Sequence, residues 1–292
     1  MTRLTIGVPA YRNAATLRQS VETLLAQSFG DFKLLISDDN SPDETGAVAQ
    51  QLAREDSRIQ YIRQPRNLKY QNFGFLLRQA NTEYFMWAAG DDRWHSDFAK
   101  HCIAELDKAT KCVLVTSKVE FDQQGVSAGL SNATFPLLDH VDINIRNYLR
   151  SPGDNSRMYG VFRTEPGQLS FPKESFHAYD WAFCAATLRF GFHGEIPEVL
   201  MTRDLTPAAN YNKLAQADGH TALERCFPLY AMSRWLLKEA RIPRSNGVLG
   251  ALTALNINKH FEYVRQFHPS YARATKPLQV IWRDHIEKRL TR

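Results

Sequence analysis

The sequence is poor in cysteine, and what it has is scattered. Cys102, Cys112, Cys184 and Cys226 include no CxxC pair. This spacing indicates neither a zinc site nor a disulfide framework, and it suits a reducing cytoplasm. Long apolar runs are missing as well. No stretch approaches the ~20 residues that span a bilayer, and the apolar part of MTRLTIGVPAYR is too short for a signal peptide. The expected location is therefore cytoplasmic. The first strand-to-helix turn, Pro9-Ala10-Tyr11-Arg12-Asn13, lacks both GxGxxG and the P-loop glycines and lysine, which argues against a classical dinucleotide or ATP site. Repeats and low-complexity segments are absent. Charge of one sign is not in large excess: 36 Lys and Arg stand against 31 Asp and Glu, a surplus of +5. These basic residues are dispersed and accompany no nucleic-acid-binding motif, so no nucleic-acid partner is expected. The mild surplus favours smaller anions, including sugar nucleotides, and an anionic membrane surface.

The chain does contain a regular alternation of apolar strands and amphipathic helices. Leu4 to Pro9 reads as a buried strand, followed from about Asn13, a candidate N-cap, by a helix with Leu17, Val21, Leu24 and Leu25 on one face. Phe32 to Ser37 is the next strand and runs into Asp38-Asp39-Asn40. Ser41, Pro42 and Glu44 then read as a capping box with proline at the first helical position. Ile59 to Arg63, Tyr84 to Ala88 and Cys112 to Ser117 read as further strands. A helix with Phe73, Leu76, Leu77 and Ala80 lies between the first two. Another, capped by Ser96 and carrying Phe98, Cys102, Ile103 and Leu106, lies between the last two. Such alternation implies an α/β fold with a mainly parallel central sheet covered by helices on both faces. Sheets of this kind bind ligands at the carboxyl ends of their strands.

Two acidic pairs fall at such ends: Asp38-Asp39 and Asp91-Asp92. Each has a plain reading as turn and helix-start chemistry. Each also has a chemical one. Mg²⁺ and Mn²⁺ are commonly held by one or two carboxylates together with substrate phosphates, and Asp91-Asp92 is suited to that. A carboxylate at Asp38 or Asp39 can accept a base N–H or a ribose hydroxyl.

On these residues the chain resembles the family 2 inverting glycosyltransferases, which have the GT-A fold. TIGVPAYRNAATLRQSVETLLAQSF resembles the family's first strand and helix, and FKLLISDDNSPDET its nucleoside-binding acidic pair and following helix. NTEYFMWAAGDDRWHSDF is similar to the segment carrying the family's DxD motif. The usual motif would place acids at positions 89 and 91. Here position 89 is Ala89, while Asp91, the usual metal contact, is present with Asp92 beside it. Further on, HAYDWAFCAATLRFGFHGEIPEVLMTRD resembles the segment in which an acid-Asp-Trp motif opens a helix and a PEVL strand follows. Tyr179 takes the place of the usual Glu, and Gly191 is the expected helix stop.

The resemblance implies Asp180 as catalytic base and Asp91 as metal ligand for Mg²⁺ or Mn²⁺. It also implies donor contacts from Pro9, Ala10, Tyr11, Asp38, Asp39, Asp92 and Arg203, with Arg66 and Lys69 near the phosphates. The implied activity is transfer of a sugar from a nucleoside-diphosphate sugar, UDP being the commonest in the family, to a glycan or a lipid-linked sugar. Asp180 also admits a plain reading as an acid complementing a helix dipole. His177 and His193 read as ordinary polar residues. A GT-A nucleotidyltransferase would show a glycine-rich first loop, which is absent. A non-catalytic sugar-nucleotide or glycan-binding protein of the same fold draws its support from Ala89 and Tyr179.

Residues 1–205 are expected to form the GT-A unit, with a donor half to about 117 and an acceptor half from 118 to 205. Residues 206–292 are expected to be helical, broken by loops at Thr206 to Asn212 and Arg241 to Gly247. Aromatic and basic residues mix in the last stretch. It is read either as an appendage packed on the catalytic unit or on a second copy, making a homo-oligomer, or as a peripheral membrane contact at the cytoplasmic face.

Overall fold

A computed structural model describes residues 2–205, 224, 227–267 and 269–290. The expected loop at Thr206 to Asn212 and Cys226 lie outside the described residues. The order begins β1 (Leu4–Ala10), α1 (Leu17–Leu25), β2 (Phe32–Asp38), α2 (Thr45–Glu55), β3 (Ile59–Arg63), α3 (Gln71–Gln79), β4 (Tyr84–Trp87). It continues with β5 (Arg93–Trp94), α4 (Phe98–Lys108), β6 (Cys112–Gln123), β7 (Val126–Leu130), α5 (Val141–Arg150), β8 (Val161–Arg163), α6 (Thr164–Ser170), α7 (Tyr179–Thr187) and β9 (Phe192–Asp204). Three longer helices follow: α8 (Tyr230–Lys238), α9 (Asn246–Phe267) and α10 (Pro269–Ile281). Among the described residues no helix is long and apolar enough to cross a membrane.

The sheet order is β3-β2-β1-β4-β8-β6-β9-β5, with β7 hairpinned onto β6. β1 is parallel to β2 and β4, and β2 to β3. Leu4, Ile6, Val8 and Ala10 of β1 and Leu34 and Ile36 of β2 are fully buried, and Thr5 and Gly7, and Leu35 and Ser37, on the opposite faces are buried as well, the pattern of strands covered on both faces. Register aligns Ala10 with Asp38, and Asp38 with Arg63, so three strands end at one edge. The fifth expected strand is β6, but it does not neighbour β4. β8 lies between them and runs antiparallel to both. β6 then pairs in parallel with β9. The two-residue turn Gln124-Gly125 that joins β6 to β7 has φ of 56° and 83°, the double left-handed geometry that suits tight hairpins.

Several helix starts differ from the sequence reading. α2 begins at Thr45, because the Ser41 N–H is taken by Asp38 Oδ1 (2.8 Å) and Asp43 Oδ1 accepts from the Thr45 hydroxyl (2.7 Å). No Ser41 capping box forms. Ser96 does not cap α4. The Gln27 side chain reaches in from the end of α1 and accepts the Ala99 N–H at 2.9 Å. The Asn13 carbonyl accepts the Leu17 N–H at 2.9 Å and so opens α1, but its side chain turns back to accept the Tyr11 N–H. α7 ends at Thr187, before Gly191. Gly191 is needed instead because a Cβ there would run into the Lys111 carbonyl.

Beneath the carboxyl edge an aromatic cluster joins β4, β8 and α7. Trp87 packs against Phe85, Phe162, Phe171 and Phe183 at centroid separations of 5.0 to 5.7 Å. Such pairs contribute about 0.5–1.5 kcal/mol each beyond area burial. They fix the start of α7, which carries Asp180, relative to the end of β4.

Candidate active site

The loops after β1 and β2 are sewn together. The Asp39 N–H donates to the Ala10 carbonyl (2.8 Å), Arg12 N–H to Ser41 Oγ (3.2 Å) and Asn13 N–H to Thr45 Oγ1 (2.8 Å). Arg12 and Asn40 both take left-handed backbones with φ of 57°. Tyr11 remains 41% exposed at this edge, with the Arg12 guanidinium 5.4 Å from its ring centre. Pro9 is half-buried and Ala10 fully buried, so Ala10 offers only backbone.

Asp38 is fully buried. Besides Ser41, it meets the Tyr61 hydroxyl at 3.2 Å and Arg63 Nη1 at 3.3 Å, so its carboxylate serves the interior of the loop. Asp39 Oδ1 and Oδ2 accept the N–H groups of Leu68 (2.6 Å) and Lys69 (2.8 Å). Burial pushes the Asp39 carboxyl upward; those two N–H donors pull it down, and Asp38 adds to the rise. Arg66 and Lys69 are both exposed in the loop that Asp39 holds.

At the end of β4 the two acids part in role. Asp92 is 2% exposed. Its Oδ2 lies 3.3 Å from Arg203 Nε, and its Oδ1 accepts the Asp204 N–H at 3.1 Å. Burial pushes its carboxyl up to about 7, against the pull of Arg203 and with a further push from Asp91. Asp91 is also raised by burial, while Arg203 pulls it down. Ala89 and Gly90 contribute backbone here: their carbonyls accept from Ser20 Oγ and Thr16 Oγ1, each at 2.7 Å.

Arg203 is the hub. Its Nη1 lies within hydrogen-bond reach of Asn155 Oδ1 (2.9 Å), Ser156 Oγ (3.1 Å) and the Asp154 carbonyl (3.3 Å). Its guanidinium sits 4.9 Å from the Tyr159 ring centre. Burial opposes its charge, but Tyr159 and the surrounding carboxylates outweigh that and raise its pKa.

Asp180 stands in the first turn of α7, just after Ala178 in a left-handed conformation (φ 60°). It is buried, and its Oδ1 accepts the Trp181 N–H at 2.9 Å. Burial raises its pKa; the Asn155 side chain, the Trp181 N–H and His177 oppose the rise. Tyr179 stacks on Tyr70 at 5.2 Å between ring centres, and Tyr70 follows the loop that Asp39 clamps. His193 is fully buried, with Nε2 3.1 Å from Thr187 Oγ1; it is a core residue.

The fold thus brings Asp91, Asp92 and Arg203 together and ties Arg203 to the Asn155 side chain, with Asp180 at the start of α7. Asp38, Asp39, Tyr11, Arg66 and Lys69 gather at the neighbouring β1–β2 edge. Asn155 and Tyr159 escaped the sequence reading. The stretch SRMYGVFRTEPGQL reads as a strand leading to a helix, and its YGVFR, similar to a segment of related transferases, was the one local signal. Among the described residues no three His, Cys, Asp or Glu side chains form a metal cluster.

Residues 5–176 match the family model described as Glycosyl transferase family 2. GalNAc(5)-diNAcBac-PP-undecaprenol beta-1,3-glucosyltransferase of Campylobacter jejuni is 33% identical over 97 residues, 32% of this chain and 30% of that protein. Succinoglycan biosynthesis protein ExoW of Rhizobium meliloti is 33% identical over 104 residues, 33% of this chain and 32% of that one. The matches span about a third of these relatives' length. In fold, the chain is similar to S. aureus TarS 1-349 in complex with UDP-GlcNAc, with a TM-score of 0.68 at 16% identity over 91% of this chain and 74% of that one. It is also similar to mannosyltransferase PcManGT from Pyrobaculum calidifontis in complex with GDP-Man and Mn²⁺, with a TM-score of 0.52 at 14% identity over 99% and 83%. At these identities the likeness is one of fold, and that fold is the GT-A arrangement. Its motif segments stand at the carboxyl edge of that sheet, the family model covers more than half of its length, and the chain belongs to glycosyl transferase family 2.

Proposed function

We propose that this chain is an inverting glycosyltransferase that moves a sugar from a UDP-sugar to a hydroxyl of a glycan or lipid-linked sugar. The observation that carries the proposal is the buried contact of Arg203 with Asp92 and with the Asn155 side chain. It fastens the end of β9 to the acidic strand end, while Asp180 stands buried at a helix start. On this reading residues 1–205 are the catalytic unit. Tyr11, Asp38 and Asp39 shape the nucleoside end, with backbone from Pro9 and Ala10. Arg203, with Arg66 and Lys69 at the rim, faces the diphosphate.

Asp91 fits a divalent ion. Asp92 is already engaged by Arg203 and the Asp204 N–H, which leaves Asp91 as the protein ligand. An ion held by one carboxylate and substrate phosphates needs no larger cluster. When bound, Mg²⁺ or Mn²⁺ there supplies charge neutralisation for the leaving diphosphate. Asp180 takes the proton from the acceptor O–H as that oxygen bonds to the anomeric carbon. The carbon–oxygen bond to the diphosphate breaks, and its electron pair leaves with UDP. Attack from the face opposite the leaving group inverts the anomeric centre. The Tyr70–Tyr179 stack beside Asp180 offers an aromatic wall to the acceptor ring.

The lipid-linked acceptor draws support from the undecaprenol-linked sugar in the name of the Campylobacter relative, and from the C-terminal surface. There Thr275 and Trp282 face inward, while Leu278, Ile281 and Ile286 are exposed among Lys276, Arg283 and Arg289. We read this face as docking on the anionic cytoplasmic side of a membrane.

The test is UDP release from UDP-glucose, UDP-galactose and UDP-N-acetylglucosamine, with Mn²⁺ and with chelator. Asp180→Asn should lower turnover about 10²–10⁴-fold with UDP affinity kept. Asp91→Asn should remove the Mn²⁺ enhancement of UDP binding in calorimetry. Binding without any hydrolysis or transfer would instead support a non-catalytic sugar-nucleotide-binding protein.

A further inference from the structure

We infer that Tyr159 is a positioning residue for the donor, a ring that holds the Arg203 guanidinium by its face and leaves the Nη2 corner to an oxygen of the diphosphate. The inference rests on Arg203 facing the diphosphate, as proposed above.

Arg203 is held on three sides. Its Nε lies 3.3 Å from Asp92 Oδ2. Its Nη1 shares its N–H groups among Asn155 Oδ1 (2.9 Å), Ser156 Oγ (3.1 Å) and the Asp154 carbonyl (3.3 Å). These are contacts at the edge of the guanidinium, and edge contacts alone let the plane tilt about them. Tyr159 fixes the face: its ring centre lies 4.9 Å from the guanidinium carbon. A guanidinium has five N–H donors. The two on Nη2 have no partner among the described residues, and Nη2 stays open to solvent. A guanidinium bonds a phosphate oxygen in its own plane. The tilt set by Tyr159 therefore sets where that oxygen must lie.

The sequence builds the place for the ring locally. Asn155 takes a left-handed backbone with φ of 68°, which Asn tolerates better than most residues with a Cβ. The 3₁₀ turn Ser156–Tyr159 follows. Side chains three apart eclipse in such a turn, so Ser156 and Tyr159 reach the same guanidinium, one at its edge and one at its face. Gly160 closes the turn against β6, where a Cβ would come within 2.6 Å of the Val115 carbonyl. Tyr159 is buried, and a cation–π contact strengthens when it is desolvated.

The experiment titrates the full chain with UDP and with uridine by calorimetry, in the presence of Mn²⁺. Tyr159→Leu removes the aromatic face and should weaken UDP binding roughly two- to thirtyfold, with uridine affinity unchanged. Tyr159→Phe keeps the face and should bind UDP as the parent does. A trifluorinated phenylalanine at position 159 keeps the shape of the ring but withdraws the negative charge from its face. It should bind UDP more weakly than Tyr159→Phe does, and it decides alone if Tyr159→Leu does not fold. Parental UDP affinity in folded Tyr159→Leu, equal affinities for the fluorinated and plain rings, or an equal loss of uridine and UDP binding overturns the assignment. Parental UDP affinity in Arg203→Ala would instead overturn the reading of Arg203 as a diphosphate contact.

Discussion

Arg203 Nε and Asp92 Oδ2 meet at 3.3 Å although 111 positions separate them in the chain. The contact fastens the end of β9 to the loop after β4, and both partners are largely buried. Truncating one partner of such a pair leaves an uncompensated charge. Arg203→Ala is therefore expected to lower the unfolding free energy by about 3 kcal/mol and to weaken UDP binding. In urea denaturation, Asp92→Asn should cost much less when Arg203 is already Ala than in the parent. Equal costs in both backgrounds would mean that the pair is not coupled.

Asp39 clamps the loop at Leu68 and Lys69, and its proposed contact with the nucleoside is separable from that role. Removing its carboxylate leaves the Leu68 and Lys69 N–H groups without their acceptor. Asp39→Ala should lower stability by about 1–3 kcal/mol and weaken UDP binding by about 1.5–3 kcal/mol. Titration calorimetry beside chemical denaturation reads both. A stability loss with parental UDP affinity would assign Asp39 to the loop alone.

His193 makes acid stability a readout of the core. Burial, and then the charge of Arg157, hold its pKa well below the ordinary value. The unfolded chain binds a proton at this residue as the pH falls through about 6.5, while the folded chain does not. Its contribution is therefore present above that pH and lost below it, at up to about 1.4 kcal/mol per pH unit. His193→Gln should show a shallower fall between neutral and mildly acidic pH than the parent, measured by urea unfolding. Parallel slopes would place the acid sensitivity elsewhere.

The C-terminal face should tell vesicles apart by charge. The parent is expected to co-sediment with phosphatidylglycerol-containing vesicles, to release as salt screens the attraction, and to ignore pure phosphatidylcholine. Leu278→Ser with Ile281→Ser should reduce binding by roughly tenfold or more. Retained binding in that variant would place the contact elsewhere. A stable homo-oligomer that the double variant dissolves, without vesicle binding by the parent, would assign the face to a second copy.

The local pattern of residues settled which strands and helices form and at which edge the acidic pairs gather. Apolar runs of strand length between amphipathic helices can bury their surface only as a covered sheet. Acids placed directly after such runs must emerge at the carboxyl edge, which is why Asp38, Asp39, Asp91 and Asp92 were legible as site candidates. Asp180 was legible through the segment around it. Helix starts were less so. Ser41, Ser96 and Asn13 have capping side chains, but capping is a competition among nearby acceptors, and Asp38, Asp43 and Gln27 alter its outcome through contacts that spacing does not encode.

The tertiary structure alone decided how the acids divide their work. Asp91 and Asp92 are neighbours with the same chemistry. Only the arrival of β9 beside the β4 loop places Arg203 and the Asp204 N–H on Asp92, which is why the proposed metal contact falls to Asp91. The placement of β8 between β4 and β6, antiparallel to both, depends on pairings between distant segments. Asn155 is the clearest case: in sequence it is one polar residue in a turn. Its meaning comes from a cation 48 positions later, and that directional hydrogen bond exists only once both are fixed in space.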